Sequence, residues 1–190
     1  GNVVENEWTT TEDGYLVTAL LEQDKTYKIH ETAAPNGYVK SDDVEFTVTN
    51  DAEQSYSISN KKIRITVLKT DNDNEPLAGA LLQLIEKDES NYTVIDSWTS
   101  TTDVYEIPFE KIKTMDLTKE HYLREITPPA GYLNLTSDTR IDILEVADVQ
   151  QFSLSNNPQA FEVSFRKLNE GSTYVSGASF QLYEGEEVNE

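Results

Sequence analysis

The chain repeats itself at the length of a whole domain, and few features constrain a fold more tightly. "WTTTEDGYLV" from Trp8 answers "WTSTTDVYEI" from Trp98, and "YKIHETAAPNGY" from Tyr27 answers "YLREITPPAGY" from Tyr122. "YSISN" ending at Asn60 answers "FSLSN" ending at Asn156. A further pairing sets "VLKTDNDNEPLAGALLQLIE" from Val67 beside "FRKLNEGSTYVSGASFQLYE" from Phe165, with Lys69 opposite Lys167 and Gly79 opposite Gly177. Spacings of roughly 90–98 residues make the unit a domain rather than one turn of a solenoid. Only residues 62–157 hold every element in order. Residues 1–61 carry the back of one unit and residues 158–190 the front of another, so the outer pieces are complementary.

Within each unit the apolar residues alternate. "IRITVLK", "LLQLIE", "YTVIDSW", "YKIHE", "VEFTVT" and "SYSISN" all have period two, which predicts strands with one buried face. The aromatic content of 9%, with ten tyrosines, suits such strands. Asp13-Gly14 predicts a tight hairpin turn, which becomes Asp103-Val104 in the second unit. "FEKIKTMDLTKEHY", residues 109–122, carries most of a small insertion and can hold a helical turn. The expectation is an all-β chain of antiparallel sandwiches. Pro35, Pro128 and Pro129 read as turn stiffeners, and Trp8, Trp98, Tyr38 and Tyr132 as core or corner residues.

Charge and composition then remove several function classes. A formal net charge of −20 argues against nucleic acid and anionic membranes, which attract basic surfaces. Without cysteine there are no disulfides or thiolate metal sites. His30 and His121 are expected at solvated strand positions, without a metal or triad role. "DNDNEPLAG", Asp71 to Gly79, alternates oxygen ligands like a calcium loop but lacks the glycine and bidentate glutamate of one, so a solvated turn is expected. No phosphate loop or nucleophile elbow occurs, so neither a turnover enzyme nor a cofactor is expected. The opening "GNVVENEWTT" has no signal-peptide pattern, and the chain reads as a segment whose export signal or anchor lies outside it.

"YKIHETAAPNGY" with "SYSISNKK", and "ITVLKTDNDNEPLAGALLQLIE" with "YLREITPPAGY" and "FSLSN", resemble the Cna B-type (collagen-adhesin B repeat) family of Gram-positive surface adhesins and pilins. The resemblance covers almost the whole chain. It implies a transthyretin-like or Ig-like β-sandwich in which a first-strand lysine joins a last-strand asparagine through an isopeptide bond, assisted by a glutamate. In the middle unit those residues would be Lys69, Asn156 and Glu125. The first piece matches with Glu31 and Asn60 but has no lysine, and the last matches with Lys167 alone. Asn156 is preferred to Asn157 because "SISN" and "SLSN" align without a gap, and a one-residue slip reverses the face.

The residue types suit that chemistry. An amine attacks a carboxamide only when neutral, which burial favours. A buried carboxyl can stay protonated, bond the amide carbonyl and relay a proton to departing ammonia. A packed core supplies effective molarity worth roughly 7–11 kcal/mol. Taken singly, each residue also fits a bland role: strand-edge lysine, solvated glutamate or strand-end asparagine. The leading expectation is a structural stalk module of a cell-wall adhesin or pilus, extracellular on a bacterial surface, whose partners are neighbouring domains of the same protein. Two rivals remain. One is a ligand-binding module using loops 87–93 and 133–139 on a host extracellular-matrix ligand, and the other is a split-domain unit that assembles head to tail.

Overall fold

Alternating strands form only where a neighbour pairs their backbone and a layer covers their apolar face. The computed structural model describes residues 2–183 apart from Ala52 and Ser90, so the last seven residues of the expected 158–190 piece lie outside the described residues. It divides into two compact units, Gly1–Pro158 and Gln159–Glu190.

The first unit opens with sparse structure. The turn at Asp13-Gly14 forms, with Gly14 at a φ of 81° that a side chain would strain and its N–H donating to Thr11 O at 3.1 Å. No strand flanks it, although Trp8 stacks on Tyr15 across it at 4.4 Å. Then come β1 (Thr26–Ile29), β2 (Tyr38–Val39), β3 (Val44–Thr47) and β4 (Lys61–Lys62). β1 pairs antiparallel with β3, setting Tyr27 opposite Phe46, and β2 pairs antiparallel with β4. The segment "SYSISN" forms no strand here, contrary to its alternation. Its counterpart in the middle unit pairs with that unit's first strand, and residues 1–61 have no such strand to offer.

The middle unit builds the sandwich. It comprises β5 (Arg64–Asp71), β6 (Leu81–Asp88), β7 (Asn91–Thr99), β8 (Tyr105–Glu106), the short helix α1 (Phe109–Ile112), β9 (Glu120–Thr127), β10 (Thr139–Ile141) and β11 (Val149–Asn156). One sheet has the order β10-β9-β6-β7 and the other β11-β5-β8. Ile65 and Val67 of β5 and Leu154 of β11 share one core with Leu82 and Leu84 of β6, Trp98 of β7 and Leu123 of β9, so the sheets face each other. Trp98 stacks on Tyr105 at 4.6 Å, repeating the Trp8–Tyr15 pair. The helical turn expected within 109–122 is α1, which follows Pro108 and buries Ile112.

Two expectations need correction. The pairing is not wholly antiparallel: β5 and β11 run parallel over eight residue pairs, from Arg64 opposite Val149 to Asp71 opposite Asn156. Strand order within a sheet is a long-range property that alternation does not encode. His121 is not solvated but almost fully buried, because on β9 it shares the inward parity of Leu123 and Glu125. His30 is exposed and bonds Asp43 at 2.6 Å.

The junction between residues 1–61 and the middle unit is ordered. Gly37 is buried at a φ of 83°, where an added Cβ would lie 3.1–3.3 Å from Lys113 and Phe109. Tyr38 meets Phe109 edge-on at 5.0 Å, and Ile63 N–H donates to Gly37 O at 2.8 Å.

In the second unit no described residue is buried, and among the described residues the strands expected there are absent. Among those residues the one ladder contact is a bridge between Leu168 and Tyr174.

Candidate cross-linking site

Alternation along β5 puts Lys69 on the side of Ile65 and Val67, and it is only 2% exposed. Its Nζ donates to the backbone carbonyls of Thr70 at 2.8 Å and Leu154 at 3.1 Å. It makes no ion pair among the described residues. Burial pushes the amine below its ordinary pKa, and the charges of Glu125 and Asp71 only partly oppose this. The result favours a neutral, nucleophilic nitrogen.

Leu154, whose carbonyl holds that amine, lies two residues before Asn156 and faces the same way. Asn156 is 1% exposed, whereas Asn157 is exposed and uses its backbone carbonyl to accept from Leu133 N–H at 2.9 Å. The carboxamide is clamped through its nitrogen: Nδ2 donates to Glu125 Oε2 at 2.8 Å and to Leu133 O at 2.6 Å. Glu125, buried on β9 of the opposite sheet, also accepts from Leu135 N–H at 2.9 Å. Its second oxygen, Oε1, is buried without a partner, and so is Asn156 Oδ1. Lys69 and Asn156 thus come from adjacent strands of one sheet while Glu125 reaches them from the other.

The first piece repeats this clamp residue for residue. Asn60 Nδ2 donates to Glu31 Oε2 at 2.6 Å and to Val39 O at 2.9 Å, and Ser41 N–H donates to Glu31 Oε2 at 2.6 Å. Burial raises the Glu31 pKa, but the bonds from Ser41 and Asn60 outweigh it and hold the carboxyl below its ordinary value. No lysine amine bonds Glu31 or Asn60 among the described residues of this unit. Lys167, in the second unit, is exposed.

The family model for the SpaA prealbumin-like fold domain matches residues 1–62 and 63–158. The chain belongs to the SpaA prealbumin-like domain family. This agrees with the Cna B-type, pilin-like resemblance read from the sequence. Among curated proteins none matches. Similar solved structures include a streptococcal ancillary pilin, 21% identical, covering 70% of this chain and 42% of that one, with a TM-score of 0.39. The shaft pilin SpaA of Lactobacillus rhamnosus GG is 17% identical, covering 73% and 66%, with a TM-score of 0.38. A C-terminal fragment of the pilus adhesin SpaC of the same organism is 15% identical, covering 78% and 81%, with a TM-score of 0.43. The chain therefore spans less than half the length of the streptococcal pilin it resembles.

Two features of this SpaA-type domain escaped the sequence. Leu133 and Leu135 complete the clamp with main-chain groups, to which side-chain identity is blind. A second buried polar cluster surrounds His121, whose Nε2 has no hydrogen-bond partner and lies 3.6 Å from Glu86. Glu86 is engaged by Lys119 Nζ at 3.0 Å and Asp116 N–H at 2.8 Å. Burial lowers the His121 pKa against the pull of Glu86, which keeps the ring neutral. The calcium-like loop is a self-capped turn: Asp71 Oδ1 accepts the N–H groups of Asp73 and Glu75, each at 2.9 Å. No helix among the described residues is long and apolar enough to cross a membrane.

Proposed function

We propose that residues 62–157 form a stalk module of a cell-wall-anchored bacterial surface protein or pilus, locked by a Lys69–Asn156 isopeptide bond. The observation that carries this reading is a buried lysine amine without an ion pair, held two residues from an asparagine whose amide a buried glutamate grips.

The neutral Lys69 Nζ attacks Asn156 Cγ. Glu125 stabilises the carbonyl oxygen as it gains charge, takes one proton from the attacking nitrogen and delivers it to the departing Nδ2. One C–N bond forms, one breaks, and ammonia leaves, so each domain reacts once and no turnover follows. One buried ionisable group is thereby removed, because the lysine becomes part of a neutral amide, while Glu125 keeps the hydrogen bond from Leu135 N–H.

The bond would close a loop containing nearly the whole domain, a constraint worth about 4–5 kcal/mol by analogy with disulfides. It would also prevent β5 from leaving β11, slowing unfolding more than it shifts the equilibrium. A chain without cysteine that works outside the cell, as proposed here, would need a covalent lock other than a disulfide. The intact mass of the folded protein tests the proposal. A value one ammonia below the sequence mass, with a branched peptide joining Lys69 to Asn156, is expected; an unchanged mass overturns it.

A further inference from the structure

We propose that α1 is a docking element: Phe109 and Lys113 seat on the Gly37-Tyr38 corner of the preceding family domain and fix the two matched domains as one rigid body. The inference does not depend on the Lys69–Asn156 bond.

Tandem domains ordinarily move against each other, with a few free linker residues absorbing the change in φ and ψ. No residue at this junction is free to do so. Lys61 and Lys62 pair with Val39 and Tyr38 of the first domain, Ile63 N–H donates to Gly37 O at 2.8 Å, and β5 begins at Arg64. Ile63 is itself 1% exposed in the core of the middle unit, and Val39 of the first domain packs against that core. The backbone passes from one domain to the next without leaving a ladder or a core.

Side chains close the joint. Lys113 N–H donates to Phe109 O at 3.0 Å, so the two residues lie one helical turn apart and present a single strip. Gly37 rests on that strip, while Ile112 and Met115, each 2% exposed, anchor the segment in the core of its own domain. Tyr38 meets the Phe109 ring edge-on, and the Nζ atoms of Lys62 and Lys113 lie 4.3 and 5.7 Å from its centroid. One ring thus takes aromatic and cationic contacts from both sides of the junction. Gly37 is required there twice over. Its φ of 83° disfavours a side chain, and an added Cβ would meet Phe109 at 3.2 Å and the main chain of Lys113 at 3.3 Å.

The corner takes its shape without a helix against it. Gly131 has a φ of 84°, and Tyr132 N–H donates to Pro129 O at 3.2 Å as Tyr38 N–H donates to Pro35 O at 3.0 Å. Tyr132 also bridges Pro158 as Tyr38 pairs with Lys62. At Gly131, however, nothing lies within 4 Å of an added Cβ. The helical element is the part that differs between the repeats. The interval from Trp98 to Tyr122 is longer than that from Trp8 to Tyr27, and only the longer one forms a helix. The partner that α1 fits is therefore a domain of this family presenting a Gly-Tyr corner, with the glycine bare.

The chain has no cysteine, so nitroxide labels attach only where cysteines are introduced. With Glu45→Cys in β3 and Ser153→Cys in β11, both exposed, pulsed dipolar spectroscopy of the 190-residue chain is expected to give one narrow distance distribution. Phe109→Ala and Gly37→Ala should each broaden it. Trypsin cleavage after Lys61 and Lys62 should also rise by about tenfold, the scale on which losing an aromatic contact shifts a local opening equilibrium. Gly131→Ala carries the same φ penalty without the clash, and should leave the distribution narrow and the cleavage slow. A broad distribution in the labelled chain without further change overturns the rigid joint. Narrow distributions in both Phe109→Ala and Gly37→Ala overturn the role of α1. Equal broadening by Gly131→Ala assigns the effect to backbone strain and overturns the docking. An unchanged intact mass would overturn the Lys69–Asn156 bond and leave each of these readouts standing.

Discussion

Glu125 holds Asn156 by its nitrogen, at 2.8 Å from Oε2, and leaves Glu125 Oε1 and Asn156 Oδ1 as two buried oxygens without partners. Buried acceptors without donors carry an unmet desolvation cost, here beside the amide that would react. A carboxyl so placed beside the amide is the group that would pass a proton from the attacking amine to the departing nitrogen. Glu125→Gln and Glu125→Ala should therefore both fold and retain Asn156 at full mass. Their melting temperature should fall by about 20 °C, as expected for losing a constraint of about 4–5 kcal/mol in a domain this size. Loss of ammonia at the wild-type rate in either variant would remove Glu125 from the chemistry.

Lys69 separates the bond from the packing. Lys69→Met keeps an unbranched apolar stem beside Val67 and Ile65 but has no amine. It should fold, keep its full mass and show the same stability loss as the Glu125 variants. Lys69→Ala leaves a cavity in addition and should be less stable than Lys69→Met by about 2–4 kcal/mol in urea denaturation.

Asp138 links the β9–β10 edge to pH. The hydrogen bonds of the Arg124 guanidinium, at 2.8 and 2.9 Å, dominate against burial and, with Lys87 at 2.9 Å, hold its pKa down to about 2 from an ordinary 3.8. Because the folded state favours the ionised form, this contribution is complete above about pH 4 and disappears as the pH falls through about 2. Asp138→Asn should cost about 2 kcal/mol at pH 7 and almost nothing at pH 2. Equal urea midpoint shifts at the two pH values would contradict the assignment.

Tyr105 works at the opposite end of the scale. Burial first, and its bond to Asp96 at 2.9 Å second, push the phenol up to about 12. The unfolded chain releases this proton near pH 10, so the domain should lose stability as pH rises from about 10 to about 12. Tyr105→Phe should remove that alkaline dependence. It should also cost about 1–3 kcal/mol at neutral pH, since Asp96 is buried and loses its hydroxyl donor.

What the sequence made legible was local and periodic. The alternation of Ile63, Ile65, Val67 and Lys69 marks one strand face, and the gapless match of "SISN" with "SLSN" selects Asn156, the buried asparagine of the pair. His121 was misread although its parity with Leu123 places it inside, because residue type was weighed above position. The segment ending at Asn60 failed differently: its pattern is that of a strand, but a ladder needs a partner and this piece holds none. The parallel pairing of β5 with β11, and the main-chain half of the clamp, depend on which distant segments meet, and single-residue patterns carry no record of that.

The parallel run of β5 beside β11 has a mechanical consequence. The chain enters the middle unit at the start of β5 and leaves it at the end of β11. A pull on the two ends therefore slides the strands lengthwise past each other and strains all eight residue pairs together, whereas an antiparallel pair pulled from one end would unzip one rung at a time. Lys69 and Asn156 sit near the far end of that overlap. With an amide between them, the force would travel along β5, cross over and exit at once. The strands from β6 to β10 would then carry no load, and the domain would resist a shearing pull with covalent bonds alone.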